Sequence, residues 1–241
     1  MAKIALIGYG KMGHEIEKIA RERGNEIVLI IDVNNSADLN VDNLKKADVA
    51  IDFSTPDGAF GNIMKCFDAN TPIVCGTTGW LDKMPEVKGR CLSENQTFFY
   101  ASNFSLGVNL FFKLNEHLAK LMNPFPVYDV KMTEVHHIHK LDAPSGTAIT
   151  LAEGIIDKLD RKDKWLLDPA NADNAITIKA VREGEVPGIH TVTYQSDVDF
   201  IEITHSANSR KGLALGAVLA AEFVVGKKGY LGMNDLLSIP C

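Results

Sequence analysis

Residues 134–148 read EVHHIHKLDAPSGTA, which puts three histidines and a lysine within positions 136–140 of a chain that has only seven histidines. Imidazole gains and loses its proton near neutral pH, and crowding with Lys140 lowers the proton affinity of each ring toward the range that acid–base catalysis uses. The run then breaks at Pro144, and Ser145 is a good helix N-cap. Behind it, Gly146 and Thr147 present N–H groups at the positive end of the coming helix. With Lys140 and the imidazoles these make a compact cationic pocket suited to a small dianion. If the chain stays extended through the run, His136 and Lys140 face one side and His137 and His139 the other. That mixed parity, with no cysteine or second ligand cluster nearby in sequence, leads us to expect no metal.

A second stretch, GYGKMG, carries Gly8, Gly10 and Gly13 between a strand-like run and a helix-like one, the context a dinucleotide-binding turn requires. The first glycine permits the tight turn, the second lets backbone approach a pyrophosphate, and the third lets helix and strand pack closely. Tyr9, Lys11 and Met12 complete the turn. Asp32 ends the second apolar run where an acceptor for ribose hydroxyls belongs, and its charge repels a 2′-phosphate. NADH is therefore the preferred cofactor, with NADPH as the alternative because Lys11 offsets part of the repulsion. Gly76, Thr77 and Thr78 in GTTG, and Ala101, Ser102, Asn103 and Phe104 in ASNF, follow the fourth and fifth apolar runs. Strand carboxyl ends are where such sheets bind ligands, so both stretches join the expected cofactor site.

The elements that must position these groups fall into two sets. Up to residue 104, short apolar runs alternate with helix-like segments, which predicts a parallel, doubly wound Rossmann-type sheet. A long helix follows over 107–122, then strand-like runs at VYDVKMTEVHH, AITIKAVREG, HTVTYQSD and FIEITHSA, with a helix over 147–159. The last two runs, with only Val198 and Asp199 between them, read as a hairpin, so the second sheet is expected to be open, α+β and mostly antiparallel or mixed. The apolar tail helix GLALGAVLAAEFVVG needs burial on most sides and is expected to return to the first domain. This divides the chain into a dinucleotide-binding domain of 1–104 plus 211–241, and a substrate-binding and oligomerisation domain of 105–210. Because the glycine turn and the histidine run lie in different domains yet must meet, the domains are expected to close on their ligands.

Composition excludes several classes. The 241 residues are 46% hydrophobic and 23% charged, ordinary for a globular protein, and a net charge of −6 disfavours nucleic acid. The opening MAKIALIGYG is too short and too glycine-broken for a signal peptide or a membrane span. Cys66, Cys75, Cys91 and Cys241 match no zinc pattern and read as free thiols of a reducing compartment, which points to the cytoplasm.

The motifs GYGKMG, DFSTPDGAFGN, GTTGW, ASNFSLGVN, EVHHIHKLDAPSGTA, VREGEVPGIHTV and ITHSANSR, spread over nearly the whole chain, resemble those of the 4-hydroxy-tetrahydrodipicolinate (dihydrodipicolinate) reductase family of lysine and diaminopimelate synthesis. The resemblance implies a homotetrameric, two-domain oxidoreductase that uses NAD(P)H to reduce a small cyclic dicarboxylate, without nucleic acid or membrane partners. It implies that His136 donates and accepts a proton and that Lys140 is a second donor. It assigns substrate binding to His137 and to the hydroxyl and backbone groups of Ser145, Gly146 and Thr147. Asp32 stands where some members carry a glutamate followed by arginine, which again favours NADH. Arg210 reads either as a substrate or hinge contact or as a structural ion pair. Two other readings use fewer of these features: a dinucleotide sensor has no use for His136 and Lys140, and a semialdehyde dehydrogenase would need a cysteine in a catalytic setting.

Overall fold

The structure is a computed structural model and describes residues 1–209 and 211–238; Arg210 and Cys241 lie outside the described residues. The chain divides into two compact units, residues 1–106 with those from 211 on, and residues 107–210.

In the first unit, β1 (Lys3–Ile7), β2 (Glu26–Ile31), β3 (Val49–Asp52), β4 (Ile73–Cys75) and β5 (Thr97–Tyr100) alternate with α1 (Lys11–Glu22), α2 (Val41–Leu44), α3 (Pro56–Asp68) and α4 (Met84–Ser93). All strand pairs are parallel, in the order β2-β1-β3-β4-β5, with the short C-terminal strand Gly229–Leu231 added beside β5. Strand alternation sends Ile4, Leu6, Val49, Ile51 and Phe99 to one face, where they pack with α1 and with the tail helix Lys211–Val224. Ala5, Ile7, Ala50, Ile73 and Phe98 point the other way, against α3 and α4. Burial on both faces is why these strands read as continuous apolar runs. The tail helix packs tightly enough that a methyl on Gly216 would lie 1.8 Å from the Phe104 carbonyl oxygen.

The order reverses at β1, whose neighbours are β2 on one side and β3 on the other. Loops leaving β1 and β3 therefore diverge at their carboxyl ends, and this is where doubly wound sheets open a ligand crevice.

The second unit holds α5 (Leu106–Met122), β6 (Asp129–His136), α6 (Gly146–Ile156), β7 (Lys164–Leu167), β8 (Ala175–Arg182), β9 (Ile189–Gln195) and β10 (Phe200–Ser206). The sheet order is β10-β9-β6-β8-β7. β6–β9 and β9–β10 are antiparallel, whereas β6–β8 and β7–β8 are parallel, so the second sheet is mixed, the second of the two expected forms. α6 carries the chain over as a crossover and so delivers β7 in the direction of β6, and the connection over 168–174 brings β8 back in the same direction. β9 and β10 do form a hairpin, through a four-residue loop closed by the Ser196 N–H on the Asp199 carbonyl at 2.9 Å. One sheet face packs on α5 and α6 through Val130, Met132, Ile176, Ile178, Val192 and Tyr194. Among the described residues no helix is long and apolar enough to cross a membrane.

Candidate active site

At the switch point in the first unit the glycine turn is fitted to its surroundings. Gly8 has φ +92°, and a Cβ there would lie 2.3 Å from the Phe53 carbonyl oxygen at the end of β3. A Cβ on Gly13 would lie 2.5 Å from the Gly8 carbonyl oxygen, so α1 can approach the turn only with glycine there. A Cβ on Gly10 would meet nothing within 4 Å: that backbone faces open space at the start of α1, where phosphate binds a helix N-terminus. A cleft of about 380 Å³ runs from Gly8, Tyr9 and Gly10 to Asp32, and a second is lined by Met12, Gly76, Thr77 and Thr78, with Ser54 in both walls. These features fit a dinucleotide.

Asp32 is half-buried, and one carboxylate oxygen accepts its neighbour Val33 N–H at 2.8 Å while its own N–H donates to Asn35 Oδ1 at 2.7 Å. The turn it caps, Val33–Asp38, contains no arginine or lysine. Lys11 is exposed at the first position of α1.

Asp52, which no local pattern in the sequence marks as functional, organises the loops around Ser54. It is fully buried and accepts the Thr77 hydroxyl at 2.6 Å, the Ser54 hydroxyl at 2.9 Å and Asn62 Nδ2 at 2.7 Å. Burial pushes its carboxyl up, opposed by these hydrogen bonds. The Thr77 hydroxyl is thus spent inside the protein, which leaves the exposed Thr78 as the free hydroxyl of the GTTG turn. Ala101 and Phe104 are buried, with the Phe104 ring 5.6 Å from that of Phe53 and 5.8 Å from that of Phe99. Ser102 is exposed, and Asn103 Oδ1 accepts the Ser105 N–H at 2.9 Å.

In the second unit, alternation along β6 turns Val130, Met132, Glu134 and His136 to the interior. Register does the rest. Glu134 lies opposite His190 on β9, and His136 lies beside Arg182 on β8. The Glu134 carboxylate accepts the Ser145 N–H with both oxygens at 3.1 Å and Arg182 Nη2 at 3.0 Å, and lies 3.5 Å from His136 Nδ1. The rings of His136 and His190 are 5.1 Å apart, and His190 Nε2 is 3.1 Å from the Ser145 hydroxyl.

Extended structure does not persist beyond His136. The Ile138 N–H turns to the Gly184 carbonyl at 3.1 Å and the Lys140 N–H to that of His137 at 3.1 Å, so the chain folds back and the parity argument for 137–140 fails. His137 and His139 still come together, with ring centroids 5.9 Å apart, but His139 is exposed against Glu185 at 3.1 Å. Lys140 Nζ pairs with Asp142 Oδ1 at 2.8 Å, and Arg182 ties down the same loop through the Lys140 and Asp142 carbonyls.

Ser145 caps α6 as expected, its hydroxyl accepting the Ala148 N–H at 3.2 Å. With its N–H on Glu134 and its hydroxyl on Ala148 and His190, Ser145 is fully engaged and buried. The Gly146 and Thr147 N–H groups have no partner among the described residues, so they are the ones free to receive an anion.

Glu134, His136 and His190 offer ligand atoms within 4.8 Å of one another. That donor set does not suit a metal, because Arg182 and Ser145 already occupy the carboxylate and the guanidinium would repel a cation. Burial lowers the His136 pKa, with Lys140 and Arg182 acting the same way and Glu134 opposing. Burial would raise Glu134, but its bonds to Ser145 and Arg182 hold the carboxyl below its ordinary value. His190, buried and beside His136, is pushed down from 6.5 to about 4.

A histidine depressed in this way binds fewer protons folded than unfolded, so stability is lost as pH falls from 6.5 toward 4. Denaturant titration at about pH 7 and about pH 4.5 should show a loss of up to roughly 3 kcal/mol, reduced in His190→Gln. An equal acid loss in variant and wild type would exclude this source.

Comparison with known proteins agrees with both halves of this description. Residues 2–104 match the family profile described as dihydrodipicolinate reductase, N-terminus, and residues 107–237 the one described as its C-terminus. The chain is 52% identical over 236 residues to the 4-hydroxy-tetrahydrodipicolinate reductase of Christiangramia forsetii, covering 98% of this chain and 97% of that protein. It is 37% identical over 207 residues to the enzyme of the same name from Neisseria gonorrhoeae, covering 81% and 74%. The fold superposes on a dipicolinate-bound dihydrodipicolinate reductase from Paenisporosarcina sp. TG-14 with a TM-score of 0.82, at 25% identity and over 100% of both chains. With family profiles matched over residues 2–104 and 107–237 and a 52% identical relative over 98% of the chain, the chain belongs to the dihydrodipicolinate reductase family.

Proposed function

We propose that the chain divides its family's reaction between two groups of residues, one holding the nucleotide and one holding the substrate and its proton. As a member of the family it is an oxidoreductase that reduces 4-hydroxy-tetrahydrodipicolinate or dihydrodipicolinate with NAD(P)H in lysine and diaminopimelate synthesis. The nicotinamide, when bound, supplies the hydride. The turn at Gly8–Gly13 with Asp32 and the Gly76–Thr78 loop hold the nucleotide, and Ala101–Phe104 contribute backbone at the end of β5.

The substrate is a dicarboxylate, as is the dipicolinate in the Paenisporosarcina relative. The free N–H groups of Gly146 and Thr147, His137 and Lys140 take its carboxylates, while Ser145 holds the helix start in place. His136 delivers a proton to the ring as reduction places negative charge on it, and Lys140 is the second donor. A dianion beside His136 favours its protonated form and so offsets the effect of burial. The observation that carries this reading is the buried cluster of Glu134, His136 and His190 against the open start of α6. Mixing the protein with NADH and enzymatically prepared hydroxytetrahydrodipicolinate should consume nicotinamide absorbance in proportion to substrate. No consumption with either nucleotide would refute it.

For the nucleotide we favour NADH. Asp32 directly follows β2 with its carboxylate facing the cleft beside the glycine turn, and the turn behind it holds no cation to bind a 2′-phosphate. The ratio of kcat/KM for NADH to that for NADPH should exceed one and should shrink in Asp32→Ala. A ratio clearly favouring NADPH in the wild type would assign the decisive charge to Lys11.

The second sheet leaves one face outside the α5–α6 core, with β10 as an exposed edge carrying Phe200 and Ile201. This supports assembly through the second unit into a homotetramer. Cys66, Cys75 and Cys91 are buried free thiols, which supports work in the reducing cytoplasm.

A further inference from the structure

The proton donor proposed above cannot act alone, because an imidazole is useful only in one tautomer and one orientation. On β6 the residue two positions earlier shares its face, and that residue is a carboxylate from which water is shut out. We propose that Glu134 is a positioning residue that serves both parts of the substrate site: its carboxylate directs the Nδ1–H of His136 inward, leaving Nε2 to exchange the proton, and it also fixes the start of α6 through the Ser145 N–H. The inference deepens the reading of His136 as proton donor and rests on it.

Three observations carry the proposal. Glu134 is fully buried, and its oxygens meet groups from three separate elements: Ser145 before α6, Arg182 on β8, and His136 on its own strand. A structural ion pair would need only Arg182. His136 Nδ1 is buried with no hydrogen-bond partner closer than Glu134 at 3.5 Å, so a proton on that nitrogen has the carboxylate as its acceptor when the ring tightens on substrate. Nε2 faces Gly188, where a Cβ would stand only 3.1 Å away, so the space beside that nitrogen is kept by the lack of a side chain.

The other groups around His136 do not duplicate this role. Arg182 on β8 and Lys140 in the turn disfavour the imidazolium, and His190 on β9, itself pushed down to about 4, supplies no negative charge to support it. Asp142 favours it but is bound to Lys140 at 2.8 Å. Glu134 is therefore the principal support for the protonated ring. Removing its charge while keeping its shape should make His136 lose its proton at lower pH.

The test compares wild type with Glu134→Gln and Glu134→Asp in kcat/KM for substrate against pH, together with NADH affinity. Glu134→Gln should cut turnover by on the order of 10²-fold and move the alkaline limb down by about one pH unit. Glu134→Asp, which keeps the charge, should restore the limb and part of the rate. NADH affinity should stay as in wild type. A limb that stays in place in Glu134→Gln overturns the proposal, whatever the rate. If Glu134→Gln does not fold, ¹⁵N spectra of wild type decide: neutral His136 protonated on Nδ1 is expected, and protonation on Nε2 overturns it. His136→Gln with wild-type turnover would instead remove the proton-donor reading itself, and leaves the tautomer measurement unaffected.

Discussion

Replacing His136 with Gln should slow turnover by on the order of 10²–10⁴-fold, the worth of a single positioned acid. Glutamine keeps a polar side chain of similar reach but has no proton to give. His136 is buried at the end of β6, between Arg182 and His190, so the change removes chemistry from a site whose walls are set by strand register. NADH affinity should be almost unaffected, because the glycine turn and Asp32 belong to the first unit. Lys140→Gln should also lower turnover and raise KM for substrate, since Lys140 is assigned both a proton and a carboxylate. His139→Gln is the control: its ring is exposed, hydrogen-bonds only Glu185 among the described residues and lies 5.9 Å from the His137 ring, so kcat and KM should change least. Steady-state kinetics and NADH titration on the three variants separate these roles. An effect of His139→Gln as large as that of His136→Gln would redistribute the whole assignment.

Gly8→Ala should weaken NADH binding by on the order of 10²-fold, about 3 kcal/mol. Two costs combine. The residue sits at φ +92°, which disfavours any L side chain by about 1–2 kcal/mol. The added methyl would also stand 2.3 Å from the Phe53 carbonyl oxygen and 2.8 Å from Ser54 Cα, and backbone cannot swing aside as a long side chain can. Relief requires the loops after β1 and β3 to part, and Ser54 lies in the walls of both clefts. Gly10→Ala makes the useful contrast. Its methyl would meet nothing within 4 Å of protein, so the melting temperature should hold while NADH still binds more weakly, through collision with the nucleotide alone. Wild-type NADH affinity in Gly8→Ala would mean that this turn is not the phosphate cradle.

The features legible in the sequence were those written locally. Apolar runs buried on both faces, a glycine turn between strand and helix, and Ser145 before an apolar helix are each contained in a dozen residues. Lys164–Leu167 and Gly229–Leu231 are not legible there because each is a short edge strand, too brief for alternation to appear. The extension of His136's strand through Lys140 failed for a different reason: the bond that turns the chain comes from Gly184, more than forty residues away. Glu134, Arg182 and His190 escaped for the same cause. They lie on three strands, and only the register of β6 with β8 and β9 brings them together. Asp52 looked like the last residue of a strand, and its importance comes from Asn62 and Thr77 folding back over it.

The most direct test of the account is the rate of the chemical step itself, isolated from product release by single-turnover stopped flow. Protein in excess with bound NADH is mixed with hydroxytetrahydrodipicolinate, and loss of nicotinamide absorbance is followed in wild type and in His136→Gln. The account predicts a single absorbance decrease that is slower by 10²-fold or more in the variant, on the order expected for a lost acid, with NADH bound as tightly in both. An unchanged rate constant for that decrease would contradict it, and would move the proton to another residue.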